Sequence, residues 1–560
     1  MQKSNTRSSF VVLTISTMLG VLLLSACGDS TATPATSAST TAAATTAAST
    51  STTAAAVTTA APAVATTAAP AVATTAAPAA ATTASTSKVA PAGKVTIGIG
   101  GEPSTLDPQS AEDGNERAVN DNIYETLLVR QPSDMQIAPG LAEKFEQKDL
   151  TTWRFTLRKG IKFHNGEDFN ADSVVTSITR ILDPAFKSEQ LSFFGTLDSA
   201  RKVDDYTVDI LTKGPDPILP SRMYWMKIVP AKYSQTKDIA EKPVGTGPFK
   251  FVEWKRNQSI TLTANDSYWG TAPSIKDVII RPFKENSTKL PALKTGDVDL
   301  VTNLLPEQVS QAPKSAKTTG VEFPMIRLAT RTGPLANAKV RQAINYAVDK
   351  ESIIKNIYGG NAELAQGQIL RPDAFGFNPE VKAYPFDPEK AKALLKEAGA
   401  EGLAFDLVGE SGRWLKDKEV IEAVGQQLTK VGLKPNIKIN EWSRYLDQLF
   451  ATENPPHSIF VSNSNELFDA DRAYSAYFAC KGRVSSYCND DVDKLLDQAR
   501  AETDVAKRTI LYKDAMKISR DDAAMLFLVN ISDIYGMTQR LDWKPRHDGK
   551  ILVTEMKLAK

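Results

Sequence analysis

Histidine and cysteine are scarce in this chain, which has only three residues of each among its 560. The sequence also lacks any HExxH, GxSxG or P-loop pattern. No reaction can therefore be assigned from a motif, and an enzyme is kept only as an alternative hypothesis. The histidines are His164, His457 and His547.

An excess of charge of one sign is missing as well. Lys and Arg total 66, and Asp and Glu total 65, which leaves a formal net charge of +1. A nucleic-acid-binding protein needs a basic surface to meet the phosphates. The charge balance therefore argues against nucleic acid as a partner.

An apolar run lies near the start of the chain, at about residues 10–24, with two basic residues before it. This run is typical of a secretory signal peptide, because it is too short to span a bilayer comfortably. It closes with Leu24-Ser25-Ala26-Cys27, which resembles the bacterial lipobox, where the Cys thiol accepts a diacylglyceryl group before cleavage. We expect a signal peptide at residues 1–26 and lipidation of Cys27, which would anchor the protein to a membrane. The alternative is a buried Cys at the end of an uncleaved anchor helix.

Residues 30–87 contain no charged side chain and consist of Thr, Ala, Ser, Val and Pro. The unit TTAAPAVA recurs with a spacing of eight, and prolines at that spacing stop a helix from propagating. The side chains are also too small to build a core. We expect residues 27–92 to form a disordered tether, with threonines open to O-glycosylation and a reach of at least about 40 Å.

The other two cysteines, Cys480 and Cys488, stand eight residues apart. In an exported protein such a pair is expected to form a disulfide, which by the chain-entropy model stabilises the fold by roughly 2.5 kcal/mol. A Cys-based metal site is the alternative, but no His or further Cys flanks the pair. We therefore predict a disulfide and no metal site.

The folded part runs from about Gly93 to Lys560, which is too long for one core, so two or more domains are expected. Its clearest block is Thr152–Val175. Alternating apolar residues there predict a strand, Asn165-Gly166 predicts a tight turn, and Asn170 is placed as a helix N-cap. The block therefore predicts a β-hairpin followed by a helix.

Helices and strands alternate further along the chain. Apolar spacing predicts a helix over Lys339–Tyr358, and Asp387-Pro388 combines an N-cap with a first-turn proline. This alternation predicts an α/β lobe with a mixed sheet. The remaining predicted elements are strands at 94–100, 249–254, 403–408, 434–439 and 526–531, and helices at 418–431, 490–501 and 504–519.

Several of these blocks together resemble one family. The block Thr152–Val175 is similar to the strand–turn–helix signature of the extracytoplasmic solute-binding proteins that feed ABC importers of the dipeptide, oligopeptide and nickel type. The resemblance covers roughly Lys94 to Met556. Further matching blocks are EPSTLDP (102–108), NIYETLL (122–128), IAPGLAEKF (137–145), KPVGTGPFKF (242–251) and KVRQAINYAVDKESII (339–354).

The resemblance implies an α/β, two-lobe periplasmic-binding-protein-like fold of the large, three-subdomain type, with mixed sheets and two hinge crossings. It also implies a monomer without a cofactor or a catalytic residue. A small solute would bind where the lobes close and pass to a membrane permease driven by a partner ATPase. The expected domains are lobe I at 93–327, with an inserted subdomain at about 129–243, lobe II at 328–526, and a return to lobe I at 527–560.

In dipeptide-type members a carboxylate of the second lobe grips the α-amino group of the ligand, within a Gly-Trp-x-x-Asp-x-x-Asp-Pro block. The corresponding run here starts at Ser462, so Glu466 takes the amine-binding position and Asp469 the second Asp position. Asn463 replaces the Trp and Ala470 replaces the Pro. These departures leave the identity of the solute open. The alternative for Glu466 is a solvated loop residue.

A second block, Gly412-Arg413-Trp414, resembles the family's Gly-Arg-Tyr-x-x-Asp block, in which Arg can hold a ligand carboxylate bidentately. If Glu466 and Arg413 face each other across the cleft, a short peptide is a natural ligand. A structural salt bridge is the alternative for Arg413. The turn Gly245-Thr246-Gly247 faces the cleft in the family, although a purely structural turn fits it equally well.

Other ligands occur on this fold, and the sequence keeps them open. A nickel chelate or haem could use His457, and an oligosaccharide would favour aromatic platforms such as Trp414, Trp442 and Tyr445. A structural surface lipoprotein is an alternative of another class. Among these, we predict a di- or oligopeptide-binding lipoprotein, held outside the cytoplasm by lipidated Cys27.

Overall fold

Residues 90–111, 113–451 and 453–559 are described by the computed structural model. The predicted signal peptide, Cys27 and nearly all of the predicted tether lie outside these residues. In the described part of the chain, no helix is both long and apolar enough to cross a bilayer.

The described residues form strands and helices along their whole length. The strands are β1 (Lys94–Ile99), β2 (Leu128–Arg130), β3 (Ile137–Pro139), β4 (Ala142–Asp149), β5 (Thr152–Leu157), β6 (Leu197–Asp204), β7 (Thr207–Thr212), β8 (Phe249–Lys255), β9 (Ser259–Ala264), β10 (Asp277–Pro282), β11 (Leu300–Val301), β12 (Lys314–Thr319), β13 (Glu322–Leu328), β14 (Ala362–Leu364), β15 (Ala404–Glu410), β16 (Lys434–Asn440), β17 (Ser458–Ser464), β18 (Met525–Phe527), β19 (Val529–Met537), β20 (Leu541–Asp542) and β21 (Lys557–Leu558).

The helices fall mostly in the second half of the chain. They are α1 (Gly114–Ile123), α2 (Ala171–Leu182), α3 (Leu191–Phe194), α4 (Leu219–Trp225), α5 (Asn286–Thr295), α6 (Ala338–Ala347), α7 (Lys350–Asn356), α8 (Pro388–Glu397), α9 (Asp417–Lys430), α10 (Trp442–Leu449), α11 (Ala470–Tyr477), α12 (Asp490–Ala501) and α13 (Val505–Asp521). Short 3-10 turns lie at Tyr233–Gln235, Lys237–Ala240, Pro306–Gln311 and Val553–Glu555.

An eight-stranded mixed sheet forms the base of the first lobe, in the order β12-β19-β11-β1-β10-β9-β8, with β14 on β19. Strand β1 is parallel to both of its neighbours, β10 and β11, and the other pairs are antiparallel. Its alternating residues Val95, Ile97 and Ile99 are fully buried in the core.

A four-stranded antiparallel sheet, β4-β5-β7-β6, stands apart from that base. Together with β2, β3 and helices α2 to α4 it forms what we call the antiparallel subdomain. The predicted β5 strand and its apolar alternation are confirmed, since Trp153, Phe155 and Leu157 all face the subdomain core. Asn170 caps α2 as predicted, because its side chain accepts from the N–H groups of Asp172 and Ser173.

A five-stranded mixed sheet, β16-β15-β17-β13-β18, forms the second lobe. Strand β15 runs parallel to β16 and β17, whereas β13 is antiparallel to its neighbours. Helix α9 packs on β15 and β16, and α6 packs on β18. The predicted α/β lobe with a mixed sheet is therefore confirmed.

The chain passes between the two large sheets twice. Strand β12 lies in the first-lobe sheet and β13 in the second, with only Gly320 and Val321 between them. Strands β18 and β19 make the return passage, with Leu528 between them. The predicted boundary at residue 327 is therefore too late, since the apolar β13 is already an inner strand of the second sheet. The predicted strand at 526–531 is likewise divided between two sheets.

The predicted helix over Lys339–Tyr358 is also divided, into α6 and α7. The side chain of Asp349 accepts from the Ser352 N–H at 2.9 Å and starts the second helix. Its own N–H donates to Gln427 Oε1 at 2.6 Å, a residue of α9. A contact between residues distant in sequence thus divides the helix, although the apolar periodicity of the sequence continues through the break.

Candidate functional site: the cleft edge of the second lobe

The carboxyl ends of the parallel strands β15, β16 and β17 meet at one edge of the second-lobe sheet. Strand β13 is antiparallel and begins at that same edge, directly after the passage from the first lobe. Ligands of open α/β sheets bind outside the carboxyl ends of the strands. The loops after β15 and β17, which carry Arg413 and Glu466, are therefore neighbours at the place where a cleft ligand would lie.

Glu466 lies in the loop after β17 and is largely buried, with a side chain 11% exposed. Its carboxylate accepts a hydrogen bond from the guanidinium of Arg472, which also donates to the Ser464 carbonyl. The Glu466 carboxylate is therefore fixed in position by Arg472, and Glu466 is not a freely solvated loop residue. Its carboxylate has lone pairs beyond those that Arg472 uses, so it can accept from a further donor.

Arg413 lies in the loop after β15 and is exposed. Its backbone N–H and those of Gly412 and Trp414 donate to the Asp417 carboxylate at 2.9–3.1 Å. Burial, together with a hydrogen bond to Asp417, raises the pKa of Glu410 to about 8. In the part of the chain that the structure describes, the Arg413 guanidinium has no ion pair of its own. The backbone of this loop is thus fixed by Asp417, while the Arg413 guanidinium can still pair with a ligand.

Two further carboxylates, one at this edge and one on the first-lobe sheet near it, were not predicted from the sequence. Glu322, the first residue of β13, accepts a hydrogen bond from the Ser462 hydroxyl at 3.0 Å. Burial raises the pKa of Glu322, Arg413 opposes that shift, and the charges of Asp533 and Glu466 add to it. Burial also raises the pKa of Asp533, on β19, to about 6. Glu322 thus lies within electrostatic reach of both predicted ligand residues.

The loop after β17 also joins the two lobes. Leu467 is fully buried, in a cluster whose other buried members lie in the first lobe between Leu127 and Ile228. Arg130, on β2, donates to the Leu467 carbonyl at 2.6 Å. The Arg472 guanidinium lies 4.0 Å from the ring centroid of Phe193, which is also in the first lobe. The structure therefore shows the lobes in contact through the loop that carries Glu466.

Three other predicted site residues are tied into the second lobe. Asn463 is 4% exposed and pairs with Phe323 in the register of β17 and β13. Asp469 caps α11 and binds Arg508 bidentately at 2.7 and 2.8 Å. Trp414 packs edge-on against Trp442, Tyr445 and Phe460. These contacts account for Asp469 and Trp414 structurally, whereas the buried Asn463 Nδ2 has no hydrogen-bond partner among the described residues. The roles of all three in ligand binding stay predictions.

The turn at Gly245-Thr246-Gly247 is packed against helix α1. A Cβ atom at Gly245 would lie 2.0 Å from the Ile123 carbonyl oxygen, so only glycine fits there. The Thr246 hydroxyl donates to Glu125 at 2.7 Å, and the Gly247 carbonyl oxygen lies 2.9 Å from His164 Nε2. The packing explains this sequence fully, and contact with a ligand stays a prediction.

The other two histidines and the two cysteines of the described residues have structural partners. His457 Nδ1 accepts from the Asp406 N–H at 3.1 Å, and the Arg371 guanidinium contacts the ring of His547. Cys480 and Cys488 are joined by a disulfide. In the described ranges, the one grouping of three potential metal ligands consists of these two cysteines with Asp490.

Sequence comparisons decide the family. The profile of the bacterial extracellular solute-binding proteins, family 5 Middle, matches residues 136–485, which is more than half of the chain. The protein belongs to family 5 of the bacterial extracellular solute-binding proteins. As a family 5 member it is a solute-binding protein of an ABC importer and acts outside the cytoplasm.

Family 5 relatives match over most of their length. A dipeptide-binding protein of Escherichia coli strain K12 is 29% identical over 77% of this chain and 88% of its own. Heme-binding protein A of Haemophilus influenzae is 31% identical over 72% of this chain and 81% of its own. The solved periplasmic binding protein DppA of Helicobacter pylori, in complex with the peptide STSA, has a TM-score of 0.70. It is 26% identical and covers 84% of this chain and 98% of its own. The predicted two-lobe fold is confirmed.

Proposed function

We propose that this family 5 protein captures a short peptide in the cleft between its lobes and hands it to a membrane permease. Glu466 accepts from the α-ammonium group of the peptide, and Arg413 donates to its terminal carboxylate. The observation that carries this proposal is the placement of both residues on adjacent loops at one edge of the second-lobe sheet.

The charges at this edge support a zwitterionic ligand. Arg413 offers a guanidinium without an ion pair in the described part of the chain, and Glu466 offers a carboxylate held in place by Arg472. A charge-assisted hydrogen bond in a closed cleft is stronger than the same bond in water. A dipeptide-binding relative and a structural relative solved with a bound peptide favour the same ligand class.

The aromatic residues support a sugar ligand less well than the charged residues support a peptide. Tyr445 is fully buried and donates its hydroxyl to the Phe460 carbonyl at 2.8 Å, so its face cannot meet a solute. Trp414 is covered by the neighbouring rings, and of these three residues only Trp442 is exposed, at 41%. A single exposed ring is a weak platform for an oligosaccharide.

We also propose how the protein is anchored to a membrane and what powers transport of its solute. Lipidation at Cys27 anchors it to a membrane, and the Thr/Ala/Pro-rich segment serves as the tether. The permease is powered by a separate ATPase, since the sequence has no P-loop. The protein itself performs no catalysis and acts by closing its lobes over the solute.

Replacement of Arg413 by Gln tests the carboxylate contact. We expect the affinity for dipeptides with a free C-terminal carboxylate to fall about 10- to 100-fold, because the charge-assisted bonds are lost. Peptides with an amidated C-terminus should bind both proteins alike in isothermal titration calorimetry.

The matched control is Arg444→Gln, at an exposed position of α10. It removes the same charge from the second lobe and should leave both peptide types unaffected. If Arg413→Gln loses affinity equally for acid and amide peptides, Arg413 does not bind the terminal carboxylate. Binding of neither peptide type by the unsubstituted protein would refute a peptide ligand.

A further inference from the structure

A cavity of about 470 Å³ opens between the antiparallel subdomain and the second lobe. Small-molecule sites have volumes of roughly 300–1,000 Å³, so this space is large enough for a ligand. Glu466, Arg413 and Glu322 do not line it. Asp469 does, but its carboxylate is already bound by Arg508. The cavity is therefore separate from the proposed peptide contacts.

Three residues that line this cavity each carry a buried N–H donor without an acceptor in the described part of the chain. The donors are Nε of Arg130, Nε2 of Gln147 and Nε1 of Trp153. Arg130 and Trp153 are only 7% and 9% exposed. Gln147 lies directly opposite Trp153 in the β4–β5 register, so these two donors share one face of the sheet. A buried donor without a partner destabilises the fold, so three such donors on residues around one cavity favour an acceptor there.

The charges around the cavity favour an anionic acceptor. The guanidinium of Arg130 donates to the carbonyls of Met135 and Leu467 and to the Ser221 hydroxyl, and to no carboxylate of the described residues. Burial lowers the pKa of Arg130, and the charges of nearby carboxylates oppose that shift.

The carboxylates near Arg130 are each held by another arginine. Asp373 is paired with Arg371, Asp469 with Arg508, and Asp548 with Arg546. Arg546 also pairs with Glu555 at 2.8 Å, and none of these carboxylates accepts a hydrogen bond from Arg130. The remaining wall is largely apolar and includes Ile137, Ile218, Phe375 and Phe468.

We propose that this cavity is a second binding site, which takes a carboxylate carried on a compact apolar body. The carboxylate oxygens accept from the three donors, and the apolar body packs on the aromatic wall. Because both lobes supply the lining, an occupant also favours the closed arrangement. The carboxylate belongs either to a free small acid or to the far end of a long peptide whose amine is at Glu466. The first source does not depend on the proposed function, and the second rests on it.

The indole N–H of Trp153 allows a direct test by two-dimensional ¹H–¹⁵N NMR, with its signal assigned through Trp153→Phe. Phenylacetate should shift this signal downfield saturably, whereas neutral phenylacetamide should not. In Gln147→Glu, which adds a carboxylate to the cavity, the affinity for phenylacetate should fall at least about tenfold because like charges repel. Gln235→Glu, at an exposed position of the first lobe, is the matched control and should have no effect.

The same titration in Glu466→Gln distinguishes the two sources. A phenylacetate shift that persists there assigns the site to free acids. A shift seen only with a long peptide acid, absent with its C-terminal amide and lost in Glu466→Gln, assigns it to the bound solute. Equal shifts with the acid and the amide would overturn the proposal. So would the absence of a shift with both phenylacetate and a long peptide acid. Failure of the peptide function alone would leave the phenylacetate result intact.

Discussion

Replacement of Glu466 by Gln should weaken the binding of peptides with a free amino terminus about 10- to 150-fold. The estimate assumes loss of one charge-assisted hydrogen bond to the ligand ammonium, worth about 1.5–3 kcal/mol. N-acetylated peptides carry no ammonium, so their affinity should be nearly unchanged. Isothermal titration calorimetry with both peptide forms gives the two affinities directly.

The contact between Glu466 and Arg472 makes the control for this substitution important. Glu441→Gln, at an exposed position before α10, removes a carboxylate from the same lobe without touching the loop after β17. It should bind both peptide forms like the unsubstituted protein. If Glu466→Gln loses both forms equally, the loop has been disturbed and the amine assignment is wrong.

Replacement of Leu467 by Ala should have a larger effect, because this side chain is buried across the contact between the lobes. Truncation of a buried leucine costs about 2–5 kcal/mol. In an open arrangement Leu467 would leave the first-lobe cluster, so the cost falls mainly on the closed state. The apparent affinity for every solute should therefore fall at least about 30-fold, for acetylated and free peptides alike.

Leu157→Ala is the matched control for closure. Leu157 lies in the same apolar cluster but belongs to β5 of the antiparallel subdomain, so it stays buried whether the lobes are open or closed. Its truncation should lower the unfolding temperature and leave the affinity nearly unchanged. Small-angle X-ray scattering with saturating peptide should show a more extended Leu467→Ala protein. A Leu467→Ala protein with unchanged affinity and compactness would contradict the proposed role of this contact.

Elements set by local chemistry could be predicted from the sequence. Asn170 and the Asp387-Pro388 pair start helices through contacts within three residues, and the alternation in β5 reports its buried face directly. Family motifs likewise placed Glu466 and Arg413 on loops that prove to be neighbours. In each of these cases the signal lies in a short stretch of chain.

Features that depend on distant contacts could not be predicted. The break between α6 and α7 involves Gln427, 78 residues from Asp349. Glu322 joins the cleft edge through Ser462, 140 residues away, and no motif marks it. The burial of Leu467 in the first lobe also needs the folded arrangement, since in sequence it is only one apolar residue beside Glu466. An unusual apolar pair, Leu467-Phe468, within a polar loop was the one available signal.

Native mass spectrometry of the purified protein, before and after mild unfolding, can show whether the cleft holds peptides. Solutes retained during purification leave when the lobes open, and their masses identify their class. We expect a mixture of masses that fragment as short peptides. One discrete mass of a sugar or a metal chelate would contradict a peptide ligand.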